Sequence, residues 1–303
     1  MLRVADLFAG CGGSSQGVVD AGHQVVCAIE WDPYARSAYD LNFPTHGLVD
    51  LDLGDVERVV AHLEPLRLDC IVLSPPCQSH SSANKKADNT DARACLTEKG
   101  VEIVCAVRPR YFVLENVPRM LSSAVWKRCE SKLMAAGYVF HAQSLNFAKM
   151  GVPQRRRRAV VAGCLEAAPV ERYAAAVRAL KHTPEMTIQD VWPGTKHVWH
   201  CSRSNHSASI TAGDRPYQTV RSIYFVPKCG LQNYAYKGPG LPKDSARHDS
   251  PDVRVFSLDE IARIQGLERH RWPSTLSKTR KKKCIGNAVP PPAMAWVLRH
   301  LIT

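Results

Sequence analysis

The sequence predicts an α/β protein built on a doubly wound, mostly parallel sheet, with a second, smaller domain. In the first half, short apolar runs alternate with segments of helical character, which is the pattern of a parallel sheet covered on both faces. Glycines, prolines or a carboxylate follow several of these runs. Near residue 166 the pattern gives way to a stretch rich in Pro, Ser, His, Tyr and Trp. These three observations distinguish a large domain from a small one.

The predicted strands point to where function should lie. The first strand enters a glycine-rich turn, and a helix follows that turn. Ligand sites in doubly wound sheets lie beyond the carboxyl ends of the strands, so the residues that follow the strands are the first candidates. The predicted strands are residues 3–8, 24–30, 70–73, 110–114 and 159–164, and the predicted helices are residues 14–21, 258–267 and 292–301.

The change in composition also predicts the domain boundaries. Residues 1–165 form the large domain, and residues 166–257 form the smaller one. Helical periodicity returns after residue 258. We therefore expect residues 258–303 to return to the large domain and to pack on its sheet.

The charge of the chain favours a polyanionic partner. The 303 residues include 40 Lys and Arg against 28 Asp and Glu, which gives a formal charge of +12. Fixed cations near phosphates release condensed counterions, and this favours binding to nucleic acid. A basic surface without such a partner has the same composition, so composition alone does not separate the two.

Cysteine usage and hydropathy predict a cytoplasmic protein. The 11 cysteines are scattered without a Cys-x-x-Cys pair, which favours reduced thiols over a disulfide framework. No run approaches the roughly 20 apolar residues that cross a bilayer. The N-terminus becomes polar by Asp6, which is too early for a secretory signal.

The glycine-rich turn is the candidate cofactor site. Glycine lets the backbone approach a ligand closely, and Gly10-Cys11-Gly12-Gly13 differs from Gly-x-Gly-x-x-Gly because Ser15 stands at the third glycine position. Glu30 ends the next strand, where a carboxylate can hold ribose hydroxyls, and Trp31 offers a surface for a purine. The chain lacks a phosphate loop with its Lys and Ser or Thr. A nucleoside without phosphates is therefore favoured over a plain turn.

Cys77 and Glu115 are the candidate catalytic residues. Cys77 follows two prolines at the end of a strand and precedes a polar stretch, residues 79–91, that we expect to be a mobile lid. A thiolate is a competent nucleophile, and nearby cations lower the pKa of a thiol. A lone cysteine is otherwise a small buried hydrophobe, and Glu115 alone suits the cap of a turn. Their pairing at two strand ends favours catalysis.

The arginine run at residues 155–158 offers the cations that such a site needs. Alternate side chains of an extended segment point to the same side. Arg156 and Arg158 are therefore expected to face the site together. A solvated basic run or a phosphate clamp is the alternative interpretation of the same residues.

These features, taken in order along nearly the whole chain, resemble the motifs of the DNA (cytosine-5) methyltransferases. The glycine turn and Glu30-Trp31 are similar to the first two motifs of that family, and Pro75-Pro76-Cys77-Gln78 is similar to its nucleophile motif. One match would be suggestive, whereas eight in the family's order do not arise by accident. The remaining matches are residues 91–96, Glu115-Asn116-Val117, residues 151–158, residues 215–220 and residues 286–291.

The resemblance implies a Rossmann-like class I methyltransferase with a target-recognition domain. It implies S-adenosylmethionine as methyl donor, S-adenosylhomocysteine as product, and a flipped cytosine in a specific duplex DNA sequence as acceptor. Cys77 would add to C6 of the ring while Glu115 binds its N3 and amine edge, and Arg158 and Arg156 would bind O2 or a phosphate. The residues that it implies for the cofactor are Phe8, Gly10, Cys11, Gly12, Gly13, Glu30, Trp31, Asp50, Pro76, Leu96, Asn287 and Val289, with Asp52 as the alternative to Asp50.

The recognition region departs from the family pattern. Residues 165–214 are short for that role, so residues 217–252 are expected to share it. His80 stands where the family usually has Phe, and either fills space or relays protons. Ser74-Pro75 replaces the commoner Gly-Phe. The implied DNA contacts are Gln78, Ser81, Arg93, Gln154, Arg221 and Lys228, with Tyr234, Tyr236 and Lys237 as further candidates.

Two other functions share these motifs. One is an RNA methyltransferase of the same chemistry, which would recognise unpaired bases. The other is an inert DNA-binding module, against which the intact Cys77 and Glu115 argue. No metal is predicted, because His197, His200, Cys201 and His206 lack a second clean ligand pair. We expect a monomer at the nucleoid of a bacterium or archaeon, or of phage origin, with a cognate restriction endonuclease acting separately.

Overall fold

The computed structural model describes residues 1–76, 92–191, 207–208, 225–227, 253–255 and 257–302. Spatial contacts between residues divide the chain into two compact units. The sheet unit comprises Met1–Leu145, Arg157–Thr183 and Val289–Thr303. The second unit comprises Asn146–Arg156 and Pro184–Ala288.

A mixed sheet of seven strands forms the first of these units, in the order β3-β2-β1-β4-β5-β8-β6. β1 pairs in parallel with β2 and β4, β2 pairs in parallel with β3, and β4 pairs in parallel with β5. β8 runs antiparallel to β5, so it begins where β5 ends. The strands are β1 (Arg3–Leu7), β2 (Gln24–Ile29), β3 (Leu48–Val49), β4 (Cys70–Leu73), β5 (Tyr111–Asn116), β6 (Val139–Asn146) and β8 (Arg157–Cys164).

Helices cover both faces of the sheet, as a doubly wound fold requires. α3, α4 and α5 bury apolar side chains on one face, and α1, α6 and α10 pack together on the other. A Cβ atom at Gly17 of α1 would lie 2.6 Å from Cβ of Met294 in α10, so these two helices need glycine for their approach. The helices are α1 (Gly13–Asp20), α2 (Pro33–Asn42), α3 (Val56–Leu63), α4 (Ala92–Val107), α5 (Ala124–Ala135), α6 (Ala167–Ala179) and α10 (Pro291–Ile302).

Side-chain caps fix where several of these helices begin. The Asp32 carboxylate accepts from the backbone N–H of Tyr34 and of Ala35 and caps α2, which Pro33 opens. Ser123 caps α5 in the same way. β4 and β5 are apolar and buried along their whole length up to Leu114. They form the centre of the core and place polar residues at their carboxyl ends.

The second unit contains shorter elements. β7 pairs in parallel with β9, and β10 pairs antiparallel with β11. A capping box of Ser257 and Glu260 begins α8. The described elements are β7 (Gln154–Arg155), β9 (Ser207–Ala208), β10 (Phe225–Pro227), β11 (Val253–Val255), α7 (Ile188–Val191), α8 (Leu258–Ile264) and α9 (Lys278–Asn287).

The predicted strands are present, but the two units do not follow the predicted domain boundaries. Residues 167–179 form α6 of the sheet unit, because Val170, Tyr173 and Val177 make an apolar stripe that the fold buries. α8 and α9 belong to the second unit, and the returning segment begins only at Val289. Within the described part of the chain, no helix is long and apolar enough to cross a membrane.

Candidate active site

Four strands bring the predicted site residues to one edge of the sheet. The carboxyl ends of parallel β1, β2, β4 and β5 lie side by side, as expected of a ligand site in such a sheet. The backbone N–H of Ser74 donates to the Leu7 carbonyl (3.2 Å), and the Ser74 hydroxyl donates to the Phe8 carbonyl (3.3 Å). The segment that leads to Cys77 is therefore tied to the start of the glycine turn.

The glycine turn is closed on one side and open on the other. Gly10 and Gly12 adopt φ angles of 56° and 96°, and Phe8 also has a positive φ of 61°. A Cβ atom at Gly12 would lie 2.3 Å from a ring carbon of Phe43, whereas a Cβ atom at Gly10 would meet no atom of the described residues within 4 Å. Cys11 is buried, and Gly13 begins α1. The space over Gly10 is thus available to a ligand.

Backbone N–H groups of the glycine turn and of the residues that follow β2 hold the carboxylate of Glu30. Its Oε2 accepts from the N–H of Gly10 (2.8 Å), and its Oε1 accepts from the N–H of Trp31 (2.9 Å) and of Asp32 (2.7 Å). Burial raises the pKa of Glu30, although these three hydrogen bonds oppose the shift. The Trp31 side chain is 70% exposed, so its ring is accessible for stacking.

The two candidate adenine-binding aspartates differ in their surroundings. Asp50 follows β3 directly and forms an ion pair with Arg36. Asp52 bends back, and its Oδ1 accepts from the N–H of Gly54 (2.8 Å) before α3 begins. The choice between Asp50 and Asp52 stays a prediction.

The other predicted cofactor residues are divided between the units. Pro76 follows β4, and Leu96 lies in α4, both in the sheet unit. Asn287 is the exposed last residue of α9 in the second unit. Val289 is buried and begins the returning segment of the sheet unit.

Glu115 and Arg158 face each other across β5 and β8. In the antiparallel register Glu115 lies opposite Val160, so the start of β8 reaches the end of β5. Arg158 Nε lies 3.0 Å from Glu115 Oε1, and Glu115 is only 7% exposed. The N–H does not point at that oxygen, which is buried and makes no hydrogen bond with the part of the chain that the structure describes. The carboxylate is therefore paired in charge but retains an unused acceptor.

Asn116 links this strand end to the two segments on either side of residues 77–91. Its side-chain amide donates to the Pro75 carbonyl (3.4 Å) and to the Thr97 hydroxyl (3.5 Å), and its Oδ1 accepts from the N–H of Val117 (2.7 Å). Asn116 and Thr97 are both buried. The role of Thr97 was not predictable, because a lone Thr within a helix carries no sequence signal for it.

Arg156 does not face Glu115 beside Arg158, and this expectation was wrong. The chain is not one extended strand here, since the N–H of Arg156 donates to the Gln154 carbonyl (2.9 Å) in a tight turn between β7 and β8. The alternation that predicted a shared side is thereby broken. The Arg156 side chain is 2% exposed and donates to the carbonyls of Gly286 (3.1 Å) and Ala288 (3.2 Å) within the second unit.

The burial of Gln154 contradicts its predicted contact with DNA. The residue is 0% exposed, and its amide donates to the side chain of Gln265 and to the Ile264 carbonyl (3.4 Å). Gln265 is equally buried and donates in turn to the Ala288 carbonyl (2.6 Å). A buried amide needs such partners, so Gln154 belongs to the interior of the second unit.

A buried polar chain near the glycine turn was also missed. Asp6 Oδ2 accepts from the Ser15 hydroxyl (2.7 Å), which lies 2.7 Å from the Tyr39 hydroxyl, and the latter lies 3.2 Å from His46 Nδ1. Burial raises the pKa of Asp6 to about 7. The one available signal was an aspartate inside an otherwise apolar strand.

Several predicted residues lie outside the described part of the chain. Arg93 lies in α4, but its side chain is not among those described. The seven cysteines that the structure describes are free, and no described group of His, Cys, Asp and Glu could hold a metal ion. The predicted residues outside the described ranges are Cys77, Gln78, His80, Ser81, His197, His200, Cys201, His206, Arg221, Lys228, Tyr234, Tyr236 and Lys237.

Several known proteins are similar to this chain in sequence. The model of the C-5 cytosine-specific DNA methylase family matches residues 2–303. Type II methyltransferase M.HindV of Haemophilus influenzae is 31% identical, over 95% of this chain and 92% of its own. Type II methyltransferase M1.HphI of Haemophilus parahaemolyticus is 34% identical, over 96% of this chain and 84% of its own.

A solved structure supports the fold. The crystal structure of the S. pombe Dnmt2 methyltransferase superposes with a TM-score of 0.75 at 18% identity, over 100% of this chain and 98% of that one. The match of the family model over nearly the whole chain shows more than the fold. The chain belongs to the C-5 cytosine-specific DNA methylases, and it is a DNA (cytosine-5) methyltransferase.

Proposed function

We propose that this enzyme transfers the methyl group of S-adenosylmethionine to C5 of a cytosine flipped out of a specific duplex DNA sequence, through a covalent bond between Cys77 and C6. The observation that carries the proposal is Glu115 Oε1, which is buried, lies 3.0 Å from Arg158 Nε and makes no hydrogen bond. Leaving a buried acceptor unsatisfied costs about 1–3 kcal/mol. A substrate that donates to this oxygen recovers that cost.

The residues at the sheet edge suit S-adenosylmethionine. The space over Gly10 admits a ligand close to the backbone, and Glu30 ends β2 where ribose hydroxyls are bound in such folds. The exposed ring of Trp31 can stack on the adenine. When bound, S-adenosylmethionine supplies an electrophilic methyl group. Phe8, Gly10, Glu30 and Trp31 would hold its nucleoside part.

Glu115 and Arg158 would recognise the cytosine ring by its edge. The carboxylate would accept from the exocyclic amine and bind the protonated N3, because both groups donate toward an acceptor. Arg158 would fix the carboxylate through its ion pair and offer its remaining N–H groups to O2 of the ring. This places negative charge where the ring nitrogen gains a proton during the reaction.

Cys77 would supply the nucleophile. Its thiolate adds to C6, a C–S bond forms, and the electron pair of the C5–C6 double bond moves toward C5. After C5 has gained the methyl group, a base removes the C5 proton and the C–S bond breaks, which restores the double bond and frees the thiolate. The cytosine must leave the base stack first, at a cost of a few kcal/mol.

The Asn116 contacts would place Cys77 relative to Glu115. Asn116 follows Glu115 in β5 and holds the Pro75 carbonyl, two residues before Cys77, while its amide also reaches Thr97 of α4. Pro75 and Thr97, which lie before and after residues 77–91 in the sequence, are thus tied to the strand that carries Glu115. We propose Asn116 and Thr97 as positioning residues for the nucleophile.

We propose that α9 binds DNA phosphates. Five of its first six residues, positions 278–283, are Lys or Arg, and its first turn contains no acidic residue. Cations crowded at a helix N-terminus repel each other and the helix dipole. A polyanion relieves that repulsion and releases counterions, so α9 would add affinity without reading sequence.

The relatives support a role in restriction-modification, because their names are those of type II methyltransferases. We propose that the protein acts as a monomer in the cytoplasm and that a cognate endonuclease acts separately on the same sequence. Residues between 192 and 256 would read the bases, with Arg221 and Lys228 among the contacts.

The direct test is transfer of a tritiated methyl group to duplex DNA and to tRNA in parallel assays. We expect labelling of DNA alone, and bisulfite sequencing of DNA from cells that express the protein would give the methylated sequence. The Glu115→Gln variant serves as the matched control for contaminating activity. Exclusive labelling of tRNA would contradict the proposal.

A further inference from the structure

Asp6 is a buried carboxylate that the proposed chemistry does not use. It lies in β1, is 0% exposed, and has apolar neighbours in the strand. Ser15 donates to its Oδ2 (2.7 Å), whereas its Oδ1 is buried and has no hydrogen-bond partner. Burying a carboxylate with so few partners is costly. An ionisable group at this buried position is therefore expected to have a function.

The hydroxyl groups of Ser15 and Tyr39 connect Asp6 to the partly exposed imidazole of His46. Each hydrogen bond of this chain can be donated toward Asp6. Because the only proton of Ser15 goes to Asp6, the Tyr39 hydroxyl must donate to Ser15 Oγ (2.7 Å). The Tyr39 oxygen is then free to accept from His46 Nδ1 (3.2 Å). The His46 ring stacks on Phe43, with ring centroids 4.8 Å apart, which fixes the end of the chain. Every donor points toward Asp6, so the arrangement favours its ionised form.

Among the described residues around Asp6, none supplies a compensating positive charge. Glu30 at the end of β2 repels it, and no cation contributes to its ionisation. Burial raises the pKa of the Cys27 thiol of β2 to about 12 and also raises the pKa of the Tyr39 hydroxyl of α2, so both stay neutral. On the other side β4 presents Val72 opposite Asp6. Two carboxylates thus share a region that lacks positive charge.

Asp6 lies beneath the glycine turn. The turn begins two residues later, and Ser15 is in the first turn of α1, directly after the glycines. S-adenosylmethionine carries a positive sulfonium that its product S-adenosylhomocysteine lacks. The groups that the two ligands share contribute alike to both affinities. A buried negative charge close to the sulfonium would act on the difference between the two affinities.

We propose that Asp6 is a selectivity residue: its ionised carboxylate, which the hydrogen bonds of the Ser15–Tyr39–His46 chain favour, makes the pocket prefer the positively charged donor over the neutral product. The proposal rests on the proposed function, because it takes the pocket to bind S-adenosylmethionine. It adds a reason for product to leave and fresh donor to enter after each turnover.

The ionisation of Asp6 gives this selectivity a pH dependence. Burial, with the charge of Glu30 acting in the same sense, raises the pKa of Asp6 to about 7. Below that pH the carboxyl is neutral and selectivity is lost, and above it selectivity is complete. The Ser15 hydrogen bond lowers the pKa of Asp6, so breaking the chain should move the change to higher pH.

The experiment is calorimetric titration of the full-length chain with S-adenosylmethionine and with S-adenosylhomocysteine at pH values from 5.5 to 9. We expect the ratio of product Kd to donor Kd to rise about tenfold over this range, the factor that one pKa unit of coupling gives. In Asp6→Asn the ratio should be independent of pH. In Ser15→Ala the midpoint should move to higher pH, and in Tyr39→Phe it should move the same way by less.

Tyr173→Phe is the matched control, because Tyr173 is a buried tyrosine of the same unit whose hydroxyl has no hydrogen-bond partner. Its pH profile should equal that of the wild type. A flat ratio in the wild type, or an unchanged profile in Asp6→Asn, overturns the selectivity role while leaving the cofactor assignment intact. If Asp6→Asn does not fold, an unmoved midpoint in Ser15→Ala overturns it. Failure of both ligands to bind would overturn the proposed function as well.

Discussion

Two glutamates lie at the ends of β2 and β5 of the same sheet, and they differ in how many hydrogen bonds the protein gives their carboxylates. Glu30 accepts three backbone N–H groups, so its carboxylate is held whether or not a ligand is present. Glu115 has one ion pair with Arg158 and a buried oxygen without a hydrogen bond. In the proposed function Glu30 lies on the side of the site that binds the methyl donor and Glu115 on the side that binds the methyl acceptor. The donor-side carboxylate is already satisfied by the protein, whereas the acceptor-side carboxylate would be completed by substrate.

This difference gives each side a distinct role. A preformed carboxylate binds its ligand with little reorganisation, which serves affinity. An unsatisfied buried acceptor favours a ring that donates a hydrogen bond and rejects one that lacks the donor, which serves specificity. At C4, cytosine would present an amine to such an oxygen, whereas thymine and uracil would present a carbonyl, which a carboxylate oxygen repels.

Loss of the nucleophile gives the largest expected effect and leaves the donor side untouched. In Cys77→Ser we expect methyl transfer to fall by on the order of 10⁴-fold or more, because a hydroxyl is a much weaker acid than a thiol and is almost entirely un-ionised at neutral pH. Donor affinity, measured by calorimetry, should stay within about twofold of wild type. Retained turnover would refute the role of Cys77.

Neutralising the acceptor-side glutamate comes next. Glu115→Gln should lower kcat by about 10²- to 10⁴-fold, because the amide cannot balance the proton that the ring nitrogen gains. Donor affinity should not change. Single-turnover rates with saturating donor and duplex give the measurement, and a raised donor Kd with normal kcat would remove the distinction between the two glutamates.

Substitutions of Arg158 and Arg156 should separate an effect on catalysis from an effect on stability. Arg158→Lys should slow single-turnover methyl transfer by about 10- to 100-fold, because an ammonium does not reproduce the planar fork beside Glu115. Arg156→Lys should instead lower the free energy of unfolding by about 2–4 kcal/mol, because two buried carbonyls lose their donor. Urea denaturation and single-turnover assays on both variants would distinguish these effects. Equal losses of catalysis at equal stability would mean that Arg156 acts at the site after all.

On the donor side, Glu30→Gln should weaken S-adenosylmethionine binding about tenfold and leave kcat at saturating donor unchanged. The amide keeps an acceptor oxygen but replaces the other with a donor, which would face the N–H of Gly10 or of Trp31 and Asp32. Calorimetry and steady-state kinetics at several donor concentrations would measure both quantities. A fall in kcat at saturating donor would count against a binding role.

The last prediction concerns stability rather than catalysis: it is the pH dependence of stability that Asp6 causes. Because its pKa is raised from 3.8 to about 7 by burial, the folded protein holds a proton that the unfolded chain has released. This contribution to stability is complete below pH 3.8 and is lost as pH rises toward 7. Relative to Asp6→Asn, wild-type stability should fall by up to about 1.4 kcal/mol per pH unit in that window. Parallel urea denaturation curves would show it, and identical slopes would mean that Asp6 titrates normally.

The features that follow the sheet were predictable from the sequence. Apolar runs and their ends located β1, β2, β4 and β5 to within two residues, and they predicted that Glu30 and Glu115 would stand at strand ends. The strand alternation predicted for the arginines failed, because it assumes an extended chain and Arg156 lies in a turn between two strands. The local sequence pattern therefore predicted the strands of the sheet but not the irregular turn between β7 and β8.

Long-range contacts account for what the sequence did not predict. Thr97 acquires its role from Asn116, and Gln154 is buried through Gln265, which is 111 positions away in sequence. The polar chain from Asp6 likewise needs helices α1 and α2 to come together. By contrast, the apolar helical stripe of Val170, Tyr173 and Val177 is visible in the sequence. It would have assigned this helix to the large domain and moved the predicted domain boundary.

The most direct test of the account is covalent trapping with a duplex that carries 5-fluorocytosine at the target position. Fluorine at C5 cannot leave as a proton does, so the enzyme should remain bound to C6 after methyl transfer. We expect a denaturation-resistant complex that requires S-adenosylmethionine, with the DNA attached to the peptide that contains Cys77. Absence of the complex with an active preparation, or its formation by Cys77→Ser, would contradict the proposed mechanism.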